Sequence, residues 1–355
     1  MCWRERTGRS SKSCPWSVTS GSVKTAAKTI QSKSLFWLLT TVLLTTASLG
    51  EAQEATRIRW IGYLAGSGSA PNQAFVQGMR DLDYIEGKNI AFVYRTTEGS
   101  RERYSEIVAE LLRLKVDVVV TDVTSAALAL KRATGTIPIV MTSSTDPVGT
   151  GLVASLARPG GNVTGLTNVG GELGGKLLEL LKEITPRLAR VAILATYGSA
   201  TGADEVFAKE TEVPARAMGV QLIRVRVKGS DDIDDAFRAI TKERANGLLM
   251  RLQPSLFSAH YKRVAELTAS SRLPSISLVA SWVDAGGLMS YGSDLNFQYR
   301  RAATYVDKIL KGTKPADLPI ERPTKFEFVI NLKAAKQIGV TIPPTVLGQA
   351  DRVIK

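Results

Sequence analysis

The side chains best suited to catalysis are scarce in this sequence. It contains one histidine, His260, and two cysteines, Cys2 and Cys14. His260 stands on a predicted helix between Phe257 and Tyr261, and any Ser-His-Asp triad or histidine metal site would depend on it alone. We therefore predict no catalytic residue, no metal and no cofactor, although catalysis by carboxylates would need neither histidine nor cysteine.

Four aspartates, Asp231, Asp232, Asp234 and Asp235, form the densest acidic cluster. An all-oxygen calcium or magnesium site would need a different loop spacing. The cluster follows Ser230 at a predicted helix start, where the helix dipole favours carboxylates. Helix capping is therefore the predicted role.

A glycine-rich turn, GSGSAP at residues 66–71, follows the first predicted strand. It lacks the third glycine of a dinucleotide-binding fingerprint, and Pro71 opens the next helix. Free N–H groups at such a helix start can still bind an anion or a polar ligand. A polar ligand site without a nucleotide is the resulting prediction.

Hydroxyl, amide and aromatic side chains recur at the ends of the other predicted strands. They occupy residues 121–125, 142–147, 196–197, 252–255, 277–282 and 291. Ligands bind outside the carboxyl ends of strands in open α/β sheets, and such side chains suit a small organic molecule. Asp146 could pair with an ammonium group, whereas turn chemistry alone would also enrich serine, threonine and aspartate.

Short apolar runs that alternate with amphipathic segments would position these side chains. This alternation predicts parallel strands joined by helical crossovers. The predicted strands are Arg57–Leu64, Ile90–Tyr94, Val116–Thr121, Ile137–Met141, Val191–Leu194, Gln221–Val227, Gly247–Met250, Ser275–Leu278, Leu288–Tyr291 and Phe326–Asn331.

The last strands follow a complete second series, so we predict that the chain returns to the first lobe near Gly286 and leaves it near Leu318. The fold class is α/β, with two doubly wound parallel-sheet lobes joined by a three-strand hinge. Lobe 1 would comprise residues 53–165 and 286–320, and lobe 2 residues 166–285 and 321–355.

Residues 1–52 have the composition of a signal peptide. Seven Lys and Arg residues precede an apolar stretch from Leu35 to Leu49, and Gly50, Glu51 and Ala52 form a small-x-small cleavage pattern. The apolar stretch is shorter than the roughly 20 residues of a membrane-spanning helix. We therefore predict cleavage near Ala52 and an exported, periplasmic protein.

The net charge of +13 falls to +8 beyond Ala52, where 39 basic and 31 acidic residues remain. The basic residues are scattered, without a run of five and without interleaved aromatics. This distribution predicts a solvated surface and no nucleic-acid partner.

Several segments resemble the ABC transporter substrate-binding proteins of bacteria, in the family that includes tryptophan and tyrosine binders. They are FVQGMRDLDYIEG at 75–87, TDPVGTGLVASLA at 145–157, RRAATYVDKILKGTKP at 300–315 and IGVTIPP at 338–344. The resemblance implies a type I periplasmic-binding fold whose two lobes trap a ligand. It also implies a monomer that delivers a small molecule, such as an amino acid, to an ABC permease in the inner membrane.

Carried over by position, the resemblance implies a ligand pocket formed by both lobes. Its residues would be Ser67, Ser69, Thr124, Ser125, Ser143, Asp146, Tyr197, Gln253, Ser277 and Tyr291. Residues 66–71 differ from those of the aromatic-amino-acid binders, so the resemblance does not identify the ligand. A binding protein that reports to a receptor, and an exported α/β enzyme, are the alternative functions.

Overall fold

The structure is a computed structural model that describes residues 57–66, 71–97, 100, 103–168, 173–197, 203–253 and 257–355. The predicted signal peptide and two predicted pocket residues, Ser67 and Ser69, lie outside these ranges. The described part from Ile58 onward belongs to one compact unit.

The first sheet is entirely parallel and has the strand order β2-β1-β3-β4-β5. Its strands are β1 (Arg59–Ala65), β2 (Ile90–Thr96), β3 (Val118–Thr121), β4 (Ile139–Thr145) and β5 (Val163–Asn168). The residues of β3 are buried throughout, as expected for a strand covered by helices on both faces. The intervening helices are α1 (Gln73–Arg80), α2 (Arg103–Arg113) and α3 (Thr124–Ala133).

The second sheet has the strand order β12-β11-β10-β9-β8-β6-β7. Its strands are β6 (Arg190–Thr196), β7 (Gln221–Val227), β8 (Gly247–Arg251), β9 (Ser275–Ser277), β10 (Met289–Ser293), β11 (Phe326–Asn331) and β12 (Arg352–Ile354). Its helices are α4 (Gly174–Ile184), α5 (Ala203–Ala217), α6 (Ile233–Lys242), α7 (Tyr261–Ser270) and α8 (Ala280–Asp284). The strands β6 to β10 are parallel, whereas β11 pairs with β10 in the antiparallel direction.

Three further helices complete the chain: α9 (Leu295–Leu310), α10 (Leu332–Ile338) and α11 (Pro344–Leu347). Helix α9 packs on α1 and β4 and so covers the first sheet. The two helices approach closely at Gly78, where a Cβ atom would lie 3.0 Å from the Cβ atom of Ala303. A helix from the C-terminal part of the sequence therefore completes the core of the first lobe.

The chain crosses between the sheets after β5, between β10 and α9, and before β11. These crossings lie side by side. Glu321 donates its backbone N–H to the Gly165 carbonyl (3.1 Å), and Asp294 donates to the Lys325 carbonyl (3.0 Å). Because β5 and β10 end at the first two crossings, the carboxyl edges of both sheets meet at this hinge.

The two-lobed α/β fold with three connections agrees with the sequence prediction, but two details were wrong. Strand β10 belongs to the second sheet, so the chain returns to the first lobe after Ser293 and not near Gly286. The second sheet is also mixed rather than parallel. Strand β11 follows directly on the third crossing. A strand parallel to β10 would instead need a helical crossover packed on the same sheet.

Candidate functional site

The carboxyl edge of the first sheet contains a hydrogen-bonded group of hydroxyls. Thr124 is buried at the start of α3, and its Oγ1 lies 3.3 Å from the Ser144 Oγ atom. The same oxygen accepts a 3.1 Å hydrogen bond from the Thr145 backbone N–H. Thr124 therefore joins the ends of β3 and β4.

Ser125 and Ser143 flank this group and contact other parts of the lobe. The Ser125 hydroxyl donates to the Tyr104 hydroxyl on α2 at 3.1 Å. The Ser143 Oγ atom accepts from the Asn168 side-chain amide at 3.2 Å, next to the first crossing. Both residues lie near the carboxyl edge of this sheet, and their contact with a ligand stays a prediction.

Asp146 follows β4 and is exposed, with a left-handed φ of 44°. Its Oδ1 atom accepts the Gly149 backbone N–H at 2.8 Å, and its carbonyl accepts the Thr150 hydroxyl at 2.8 Å. A Cβ atom at Gly149 would lie 2.0 Å from the Asp146 Oδ2 atom, so a side chain there would displace the carboxylate from this position. The Asp146 carboxylate thus stabilises the turn that follows β4.

Tyr197 and Gln253 lie together at the carboxyl edge of the second sheet. Gln253 donates its backbone N–H to the Thr196 Oγ1 atom at 3.0 Å, which ties the ends of β8 and β6. The Tyr197 side chain is 53% exposed, and the Lys228 ammonium lies 5.3 Å from its ring centroid. Tyr197 is thus an exposed aromatic surface at this edge.

Ser277 and Tyr291 lie farther along this sheet. Ser277 is buried at the end of β9, where its Oγ atom accepts the Val279 backbone N–H at 3.4 Å. The Tyr291 ring stacks on Phe326 with centroids 5.8 Å apart and contacts Phe328 edge-on. Both side chains therefore have structural partners in addition to the predicted ligand.

Asp122 directly follows β3 and lies within the predicted strand-end segment 121–125, but it was not among the predicted pocket residues. Its Oδ1 atom accepts the Gly66 backbone N–H, and its Oδ2 atom accepts the Tyr299 hydroxyl from α9, each at 3.1 Å. Burial raises the pKa of Asp122. Burial and the charge of Asp122 together raise the pKa of Tyr63, Tyr94 and Tyr299. An acidic residue directly after a buried strand was the available sequence signal.

A second unselected group lies at the carboxyl end of β8. Arg251 pairs with Asp204 at 3.2 Å, and its guanidinium lies 4.8 Å from the Phe207 ring centroid. Burial raises the pKa of Asp204 and lowers that of Arg251, while each partner's charge opposes these shifts. Within the part of the chain described, the Arg251 Nε and Asp204 Oδ2 atoms have no hydrogen-bond partner. The sequence signal for this group was Arg251, a basic residue at the end of an otherwise apolar strand.

The described residues contain no group of three or more potential metal ligands. The prediction that the acidic cluster caps α6 was wrong: Asp232 occupies the N-cap position without a side-chain capping hydrogen bond, and its carboxylate accepts the Lys228 backbone N–H at 2.7 Å instead. Asp234 pairs with Arg263. The His260 ring lies edge-on to Phe257 with centroids 6.5 Å apart. Across those same residues, no helix is long and apolar enough to span a membrane.

Two α/β lobes joined by three adjacent crossings define the type I periplasmic-binding-protein class. Residues 67–354 match the family described as ABC transporter substrate binding protein. The chain belongs to this family, which confirms the resemblance predicted from its segments. The family comprises proteins that bind substrates for transport rather than enzymes.

Three comparisons illustrate this membership. A conserved domain protein from Vibrio cholerae is 30% identical with a TM-score of 0.76, over 84% of this chain and 100% of that one. An ABC domain from Streptococcus pneumonia, solved with L-Trp, is 26% identical with the same TM-score and coverage. A tyrosine-binding protein of Clostridioides difficile is 24% identical over 268 residues, or 76% of each chain.

Proposed function

We propose that this protein is the periplasmic solute-binding component of an ABC importer. It binds a small organic ligand, an amino acid or a similar molecule, between its lobes and delivers it as a monomer to a permease in the inner membrane. The observation that carries the proposal is the hinge. Its three crossings bring together the carboxyl edges of both sheets, which are the edges where open α/β sheets bind ligands.

The ligand acts by shifting the equilibrium between an open and a closed arrangement of the lobes. It can favour closure only if it binds the closed arrangement more tightly than the open one. Polar groups at both edges meet this requirement when they contact the ligand together. Thr124 and Ser143 would act from the first lobe, and Tyr197 and Gln253 from the second. No bond in the ligand needs to change.

Thermal unfolding of the purified protein against amino acids, sugars, purines and small acids tests this proposal. L-Tryptophan and L-tyrosine belong in the panel because related proteins bind them. A ligand at about 100 times its dissociation constant adds about 2.7 kcal/mol to the free energy of unfolding. We expect one chemical class to raise the melting temperature, and the ligand should be recovered unchanged. Conversion to a product would instead support the enzyme alternative.

Export is tested separately by the mass of the protein recovered from the periplasm. Cleavage near Ala52 should yield a chain that starts close to Gln53. A variant with two arginines in the apolar stretch, Leu38→Arg and Leu43→Arg, should remain uncleaved in the cytoplasm. Recovery of the intact 355-residue chain from the periplasm would contradict the predicted signal peptide.

A further inference from the structure

Large apolar side chains are exposed at the amino edge of the first sheet, which is opposite the carboxyl edge. They lie at or just before the starts of β1, β2 and β3, which are neighbours in that sheet. The exposed fractions are 42% for Ile58, 46% for Trp60, 44% for Ile85 and 44% for Leu114. We call these four residues the Trp60 edge. Apolar side chains that are exposed together mark an interaction surface.

Trp60 lies beside the end of helix α2. Asp117 donates its backbone N–H to the Trp60 carbonyl, and its carboxylate accepts the Trp60 N–H, each at 2.8 Å. Gly62 is on the same face of β1, and a Cβ atom there would lie 3.2 Å from the Leu111 side chain of α2. Because side chains alternate along a strand, Trp60 also projects on the α2 side, near the end of the helix that Leu114 follows.

The turn before β2 flanks β1 on its other side. Arg59 donates its backbone N–H to the Asn89 carbonyl at 2.9 Å, and the Asn89 side chain accepts the Ile85 backbone N–H at 2.7 Å. The strand order β2-β1-β3 therefore places Ile85 and Leu114 on opposite sides of Trp60.

Basic residues surround these apolar side chains. Segments 57–60, 85–89 and 113–117 contain five basic and two acidic residues, a net charge of +3. The basic residues are Arg57, Arg59, Lys88, Arg113 and Lys115, and the acidic ones are Glu86 and Asp117. Tryptophan favours the head-group region of a bilayer, and nearby lysine and arginine attract anionic lipids. The composition of this edge is therefore complementary to an anionic membrane surface.

The position of this edge along the chain also places it near a membrane. The predicted apolar stretch of the signal peptide ends at Leu49, and seven residues separate it from Arg57. Seven residues span at most about 25 Å. Before the predicted cleavage, an apolar stretch held in the membrane would thus keep the Trp60 edge close to the bilayer.

We propose that the Trp60 edge binds the surface of an anionic phospholipid bilayer. Its apolar side chains enter the head-group region, and the surrounding basic side chains pair with lipid phosphates. The seven residues of β1 place the carboxyl edge about 20 Å away from the lipid. A protein bound in this way keeps its proposed ligand site open, so this inference goes beyond solute binding and does not depend on it.

The test measures binding of residues 53–355, the chain without its predicted signal peptide, to lipid vesicles. These residues contain two tryptophans, Trp60 and the fully buried Trp282, so a change in emission on lipid contact reports on Trp60. We expect vesicles of phosphatidylethanolamine and phosphatidylglycerol to sediment the protein and to shift its emission to shorter wavelength. Vesicles of phosphatidylcholine should do neither. Added salt should release the protein, because it screens the charges.

Substitution of the tryptophan tests the apolar part of the surface. Trp60→Ser should weaken sedimentation with anionic vesicles by about 10- to 100-fold, as expected when about half of an aromatic side chain is no longer buried in the head groups. Val213→Ser is the matched control. It removes an apolar side chain that is 67% exposed on α5, and it should bind as wild type.

Substitution of two basic residues tests the charged part. Lys88→Gln combined with Arg113→Gln should weaken binding by about 30-fold, the loss expected for two basic side chains near an anionic surface. Lys333→Gln combined with Lys336→Gln removes the same charge from exposed positions on α10 and should have little effect.

Three results would overturn the proposal. They are absence of sedimentation with phosphatidylglycerol vesicles, equal binding to phosphatidylcholine vesicles, and unchanged binding of Trp60→Ser. An emission shift that grows with protein concentration without lipid, together with a doubled mass in light scattering, would assign the edge to a second copy and overturn it too. None of these results would affect the thermal shift produced by a solute, so the proposed function would remain.

Discussion

At the scale of single residues, the Asp122 carboxyl makes the stability of the fold depend on pH. Its pKa in the folded protein is raised by burial, so the folded state holds this proton more tightly than the unfolded state does. The contribution of Asp122 to stability therefore falls as the pH rises from the unfolded-state pKa through the folded-state pKa, and stays low above it. Above the folded-state pKa the ionised side chain is less favourable to the fold than the protonated one.

We expect Asp122→Asn to melt at a higher temperature than wild type at pH values above the folded-state pKa of Asp122. The amide keeps an oxygen acceptor for the Gly66 N–H but carries no charge. The advantage should shrink as the pH falls through the folded-state pKa of Asp122, because the wild-type carboxyl then becomes neutral too. Melting curves across this pH range, with Asp231→Asn as the reference, provide the check. A variant that is less stable than wild type throughout the pH range would show that the charge is compensated.

The sequence indicated which residues stand at strand ends, but it did not show what their side chains contact. Asp146 was predicted to meet an ammonium group because it is acidic and follows a strand. Its carboxylate also accepts the Gly149 backbone N–H, and its contact with an ammonium group stays a prediction. The hydrogen bonds that Asp122 accepts from Gly66 and Tyr299 could not be predicted from the sequence, since these residues are far apart along the chain.

At the scale of elements, the end of β10 depends on a close backbone contact. A Cβ atom at Gly292 would lie 1.8 Å from the Leu278 carbonyl oxygen. The atoms that a Cβ atom would meet belong to the Leu278 backbone, which cannot easily move away. Gly292→Ala should therefore lower the free energy of unfolding by about 2–4 kcal/mol. Denaturant unfolding measures this loss.

Gly135→Ala is the matched control for that substitution. Gly135 is exposed, and a Cβ atom there would have nothing within 4 Å. Its effect should stay within about 0.5 kcal/mol. Equal effects at the two positions would contradict the tight contact beside β10.

The apolar pattern predicted that β10 is a strand, but it did not predict which sheet the strand joins. Residues 288–291 read as a strand, but the pattern carries no information about which neighbour the strand pairs with. Backbone pairing with Ile276 and Ser277 places β10 beside β9 in the second sheet. The helix that follows was predicted well, because Asp294 caps α9 and Gly312 takes the left-handed φ of 100° typical of a helix end.

At the scale of the whole molecule, ligand binding should bring the lobes together. A ligand that contacts both carboxyl edges stabilises the closed arrangement, so its addition should reduce the radius of gyration. Small-angle X-ray scattering with and without the ligand identified by thermal unfolding measures this change. Binding without compaction would argue against a hinge mechanism.

The first lobe is not continuous along the chain, since α9 covers its sheet only after the second lobe has almost been completed. During synthesis, about 130 residues lie between the end of β5 and the helix that closes the first core. Until that helix arrives, Ile61, Val118 and Val140 lack their packing partners in α9. A chain still attached to the ribosome thus remains incompletely folded until late, and such a chain is a suitable substrate for a translocation channel that threads extended polypeptide.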